Sequence, residues 1–384
     1  MNERRPSLNN FNSRGVYSGA KIRDNESRDF FLKGPEYQTM KKLKPISERD
    51  YRLSQMIKDF SKSRLARILA VIGIGSGVAH EFGVTTIKSE KISNEAIYHK
   101  DMEATGFAEE KKEIEALKNM RQILEQESIG KLYEGTNQAE EFRHLVEQEE
   151  EKILKMYGND LERLEKAYGK GIANLFYLFE VAKSLGVPRG IIMGVALEES
   201  GFNKNAKNKK SSAKSEMQII NETAKNWQAA FAKLLDKWIG DFKKTSYEIN
   251  SGKEDVEKLR ELRQKIALGK DLRIEDGLYL GAFGFRKLCY DRGSEDSALL
   301  AYKIGNEGAR QEIALARKKG LAGTYLDIRP NLKNEEDRQY IARVQAELNV
   351  FLQVLDQLTE RVEAQSNQAF NGQSIFYNPD DKKI

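Results

Sequence analysis

The chain has 384 residues, 39% of them hydrophobic and 32% charged, and its 64 Lys and Arg stand against 59 Asp and Glu for a net charge of +5. At about 150 residues per domain this length calls for two or three segments with different roles, and a mean hydropathy of -0.65 excludes a multi-pass membrane protein. So small a charge on so long a chain makes no case for nucleic-acid binding.

Residues 1–60 read as a disordered basic arm, rich in Asn, Ser, Gly and Arg and without sustained apolar periodicity. The arm leads into Ile68 to Ala79, the most apolar uncharged run of the chain, and residues 64–86 form a candidate membrane anchor. By the positive-inside rule the arm would stay in the cytoplasm and the rest of the chain would lie outside it. The run is shorter than the roughly 20 residues a spanning helix needs, so a buried helix or hairpin is the other reading, with the chain then soluble or virion-associated. Gly73, Gly75 and Gly77 lack nucleotide-loop spacing, and Ser76 is not the centre of a nucleophile elbow.

Residues 90–168 are rich in Glu, Lys, Gln and Leu. Ile114, Leu117, Met120 and Leu124, then Leu145, Ile153, Leu154, Leu161 and Leu164, fall at helical spacing. Two or more amphipathic helices follow, read as a helical spacer because no heptad repeat is sustained. Residues 169–358 form the domain that carries chemistry, and 359–384 a polar, flexible tail.

Within that domain Leu178, Val181, Ala182 and Leu185 make the apolar stripe of a helix closed by Gly186 and Pro188. In the next helix Ile192, Val195 and Ala196 lie at i, i+3 and i+4, and Glu199 falls at i+7 on the same stripe. A carboxyl at the end of a buried face is desolvated, which raises its pKa toward the range a general acid needs near neutral pH. Glu198, about 100° around the helix, belongs to another face. One cysteine, Cys289, and three histidines, His80, His99 and His144, supply neither a disulfide nor a metal site, so no metal or cofactor is expected and carboxylates are the proton carriers on offer. From the residues alone Glu199 is either such an acid or a helix-end carboxylate paired with a lysine.

Glu199-Ser200-Gly201-Phe202-Asn203, followed by Ser212-Ala213-Lys214-Ser215-Glu216-Met217-Gln218-Ile219-Ile220-Asn221-Glu222-Thr223-Ala224, resembles the lytic transglycosylases of the soluble (SLT) type. Their catalytic helix ends in Glu-Ser-x-Phe-Asn, and their next block reads Gly-Ala-x-Gly-Leu-Met-Gln-Ile-x-Pro-x-Thr-Ala. The likeness continues in order at Leu280-Gly281-Ala282 with Leu288, at Ala301-Tyr302-Lys303 for an Ala-Tyr-Asn motif, and at Glu336-Asp337-Arg338-Gln339-Tyr340-Ile341 for Glu-Thr-Arg-x-Tyr-Val. It spans roughly residues 173 to 350.

The resemblance implies a mainly α, lysozyme-like fold with Glu199 at the base of a groove for peptidoglycan strands. It implies cleavage of the β-1,4 bond between N-acetylmuramic acid and N-acetylglucosamine, with Glu199 first as acid and then as base. The substrate's own N-acetyl group replaces a second carboxylate, and the product is 1,6-anhydromuramic acid. Position by position, Ser200 supports the acid by a hydrogen bond or simply caps the helix. Gln218 contacts the sugar, with Met217 packed beneath it or serving as plain core. Tyr302 orients the N-acetyl group, and Glu336 is a substrate contact or a solvated helix-start carboxylate.

The chain departs from the family where Ser215 and Glu216 replace Gly-Leu, where Lys303 replaces Asn and, more mildly, where Asn221 replaces Pro. Trp227 and Trp238, in a charged stretch longer than the family's usual one, either stack on sugars or are core. The departures keep two further readings open. One is an inert glycan-binding or structural module of an envelope or viral entry assembly, and the other a hydrolase of related glycans such as chitin.

Overall fold

The computed structural model describes residues 104–208, 211–245 and 252–374. The basic arm, the apolar run at 68–79 and the last ten residues lie outside the described residues. Among the described residues no helix is long and apolar enough to cross a membrane.

The described chain is helical, and the helices are ordered around one long member. After α1 (Ala104–Gln126) come α2 (Ile129–Tyr133), α3 (Ala139–Met156) and α4 (Leu161–Ala173). The N-cap Asp160 opens α4 by accepting from the main-chain N–H of Glu162 and Arg163. On α1 the expected stripe of Ile114, Leu117, Met120 and Leu124 is the buried face. On α3 the buried stripe is Phe142, Val146, Glu149 and Ile153, whereas Leu145 and Leu154 are half-buried beside it. Both helices pack along α14 (Glu335–Ser374), which continues through the polar stretch beyond Glu360 and keeps Val362 buried.

The helices α5 (Leu175–Leu185) and α6 (Arg189–Ser200) form a tight pair. Gly186, with φ 62°, takes the left-handed turn that ends α5, and Val187 N then bonds back to Ala182 O at 3.0 Å. Pro188 precedes the first turn of α6, where its fixed φ suits entry to a helix. Every residue from Gly190 to Leu197 is buried, so α6 is enclosed on all sides until its last turn. Each fully buried side chain such as Ile192 or Val195 contributes about 1.5–3 kcal/mol. At Gly194 a Cβ would run into the Val344 carbonyl of α14, so the two backbones touch there.

A turn region follows, held by the isolated bridges Lys207↔Lys214 and Lys214↔Ile219, and then α7 (Asn221–Thr245), α8 (Gly252–Ala267) and α9 (Leu272–Glu275). Next are α10 (Gly277–Arg292) and α11 (Glu295–Ile304). The chain reaches α14 through α12 (Asn306–Lys318), α13 (Tyr325–Ile328) and the short 3-10 turn Arg329–Asn331. On α10 the glycines Gly277, Gly281 and Gly284 share one face. A Cβ on any of them would strike, in turn, Ser215 with Glu216, Met217, and Trp227. That smooth face seats the 215–217 turn against the end of α6.

Candidate active site

Glu199 stands in the last turn of α6, where the enclosed helix becomes partly exposed. The chain leaves at once, with Gly201 and Phe202 at φ 59° and 58° and the Phe202 ring buried, so nothing prolongs the helix over the carboxyl. Burial raises the Glu199 pKa to about 7 against the opposing pull of the Lys303 charge and the Tyr340 hydrogen bond. Tyr340 Oη donates to Glu199 Oε1 at 2.8 Å. Burial, followed by the Glu199 charge, holds the Tyr340 hydroxyl far above its ordinary range, so it stays a donor.

Two of the other carboxyls nearby are paired with cations. Glu198 accepts from Arg343 Nε at 2.9 Å, and Glu336 accepts from Lys303 Nζ at 2.6 Å. Among the described residues Glu199 forms no ion pair. The arrangement is therefore an acid poised near neutrality with a tyrosine donor on it, and the flanking carboxylates Glu198 and Glu336 each held by a cation.

The structure gathers the residues expected here, with some hydroxyls turned differently. Ser200 Oγ lies 2.8 Å from Glu216 O and 3.2 Å from Ala196 O and accepts from Asn203 N at 3.0 Å. Its hydroxyl serves the main chain and not Glu199, because the left-handed turn after α6 brings carbonyls and an N–H closer than the acid. Met217 is fully buried against Gly281, and its carbonyl accepts from Tyr302 Oη at 2.6 Å. The Tyr302 hydroxyl, held well above its ordinary pKa by burial and then by the Glu199 charge, thus binds the turn that carries Gln218. Gln218, at φ 46°, is partly exposed, and its amide donates to Ser215 O at 2.9 Å. Glu336 faces Lys303. Trp227 is half-buried with its ring 5.9 Å from that of Tyr302, and the Trp238 side chain lies outside the described residues.

Sequence reasoning gave no site role to Tyr340, Arg343 or Arg273, and it marked Lys303 only as a departure from the family's asparagine. The first two share a helical face with Glu336 at i, i+4 and i+7, a spacing visible in the sequence. Arg273 left no such signal. This buried guanidinium donates to Ser212 O (2.9 Å), Ile219 O (3.3 Å) and Asn221 Oδ1 (3.1 Å) and pairs with Asp271, pinning the Met217–Gln218 turn from behind. The left-handed φ of 72° at Ser215 accounts for the family's glycine at that position. Among the described residues no group of three or more His, Cys, Asp or Glu could hold a metal ion.

Comparison with known families matches residues 176–252 to the Transglycosylase SLT domain, a span that holds all but the first residue of α5, α6 with Glu199, and the 211–220 turn. The searches of curated proteins and of solved structures find no match. The chain carries a transglycosylase SLT domain, a lysozyme-like and mainly helical module.

Proposed function

We propose that the chain is a peptidoglycan lytic transglycosylase that cleaves the β-1,4 bond between N-acetylmuramic acid and N-acetylglucosamine. An SLT domain points to lytic transglycosylase activity and a glycan substrate in general. The observation that carries the finer reading is Glu199, a carboxyl held near pKa 7 at a partly exposed helix end and touched by a tyrosine donor.

In this reading protonated Glu199 gives its proton to the bridging oxygen as the bond to muramic C1 breaks. The N-acetyl carbonyl oxygen bonds to C1 and carries the positive charge. The Glu199 carboxylate then takes the proton of the C6 hydroxyl, O6 attacks C1, and the acetamide is released. Glu199 ends protonated, no water is consumed, and the product is a 1,6-anhydro sugar. A pKa of about 7 lets one group act in both directions at neutral pH. Tyr340 fixes which oxygen faces the substrate.

The hydroxyl of Tyr302 and the amide of Gln218 are both engaged with main-chain carbonyls, which favours the inert glycan-binding module as the second reading. Purified peptidoglycan treated with the full chain decides between them. Fragments lighter by one water than hydrolytic products in a mass spectrum are expected. Hydrolytic reducing ends would replace the lyase with a hydrolase, and binding without release would leave the inert module.

A further inference from the structure

Lys303 stands where the resembling family has asparagine, at a point where three elements of the site meet. It follows Tyr302 in the last turn of α11. Its ammonium lies 2.6 Å from Glu336 Oε1 and 5.0 Å from the centre of the Tyr340 ring, two residues one turn apart on α14. Tyr340 in turn donates to Glu199 on α6 at 2.8 Å. The lysine and glutamate side chains are only 20% and 26% exposed, so the pair is shielded from solvent more than a surface ion pair would be.

We propose that Lys303 is a positioning residue of this site, which pairs with Glu336, sets its ammonium against the Tyr340 ring and so holds the tyrosine hydroxyl on Glu199. It also neutralises the Glu336 carboxylate beside the acid. The idea rests on Glu199 being the acid of the proposed reaction.

The groups facing Glu199 define what Lys303 contributes. The helix α11 presents Tyr302 and Lys303, α14 presents Glu336, Tyr340 and Arg343, and α6 itself presents Glu198. The 211–220 turn approaches through Glu216, whose main-chain oxygen lies on Ser200. Two of these groups are cations. Arg343 is engaged by Glu198, and Lys303 exerts the larger charge effect on Glu199, drawing its pKa down against burial. An asparagine at this position supplies no charge and leaves Glu336 unpaired. Without the lysine, Glu199 keeps its proton to higher pH and Tyr340 loses the cation on its ring face.

The test follows the Glu199 carboxyl by carbon NMR in the full chain carrying labelled glutamate, with its resonance identified by its loss in Glu199→Gln. In Lys303→Met the Glu199 midpoint is expected to rise by about one pH unit. Lys303→Arg should keep it within about 0.3 of wild type, and Lys303→Met with Glu336→Gln should recover part of the rise. The falling limb of the cleavage profile should move with the midpoint, with kcat reduced about tenfold and KM changed less. If Lys303→Met fails to fold, Lys303→Asn takes its place, with the same rise expected.

An unchanged Glu199 midpoint in the folded variant overturns the proposal. Because the titration needs no substrate, the two ideas fail separately. A wild-type chain that releases no fragments but shows the shift loses the glycan-cleaving reading and keeps this role for Lys303.

Discussion

Two carboxyls near the end of α6 have been pushed to the same proton affinity for opposite purposes. Burial raises both Glu199 and Glu216 to about 7. Glu199 stands in a partly exposed last helical turn and holds a tyrosine donor. Glu216 is 7% exposed, its Oε2 has no hydrogen-bond partner, and it lies against Gly277 next to the equally unpartnered hydroxyl of Ser215. A carboxyl that titrates near neutrality is therefore no mark of catalysis by itself. Access and a directing donor separate a working acid from a buried group that burdens the fold.

The contrast is sharpest in a pair of exchanges. Glu199→Gln should lower fragment release by about 10² to 10⁴, as the loss of a general acid does, without lowering the melting temperature. Equal losses in a Glu216→Leu chain would dissolve the distinction.

Stability should show the reverse asymmetry. The folded pKa of Glu216 is raised above its ordinary value of 4.5 to about 7, so its contribution is fully present below about 4.5 and is lost as pH rises through about 7. That loss amounts to about 3 kcal/mol. Urea midpoints at pH 5 and pH 8 should differ in wild type and draw together in Glu216→Leu, and a difference that persists unchanged would assign the slope elsewhere. Glu199, raised to the same value, acts with the same sign in the same window, so Glu216→Leu should narrow the difference and not abolish it.

Tyr340→Phe removes the hydroxyl that favours the Glu199 carboxylate. The falling limb of the pH profile should move upward, with a rate loss of about five- to tenfold for one hydrogen bond. The smallest effect belongs to Ser215→Gly, which relieves a φ of 72° and removes an unpaired buried hydroxyl. A gain of about 0.5–1 kcal/mol in unfolding free energy is expected.

Much of this was legible in the sequence where it depends on periodicity. The run Ile192, Val195, Ala196, Glu199 names both the buried face and the carboxyl at its end, and the α1 stripe is likewise as spaced. What periodicity does not encode is the direction of a hydroxyl or the partner of a charge across the fold. Tyr302 was expected to orient the sugar, and Ser200 to serve the acid or to cap the helix; both hydroxyls hold carbonyls of the 211–220 turn. The pairing of Lys303 with Glu336 spans two helices far apart in the chain, and the pinning role of Arg273 depends on the Asn221 side chain and on two main-chain carbonyls that any residue would offer. The helices of 104–168 read as a spacer by composition, since a solvated face looks the same whether the other face meets a partner or a core. Their packing on α14 is a tertiary fact.

The meeting of Gly194 with the Val344 carbonyl reaches beyond packing. Glu199 lies just over one turn past this crossing on α6, and Tyr340 one turn before it on α14. The spacing between acid and donor is thus gauged by two main chains in direct touch, like the jaws of a caliper closed on a fixed stop. Within that gauge the side chains around the acid, Lys303 among them, only trim how the tyrosine hydroxyl meets the carboxyl. Ser215, Glu216 and Lys303, the places where the resembling family keeps glycine, leucine and asparagine, all lie off that backbone contact.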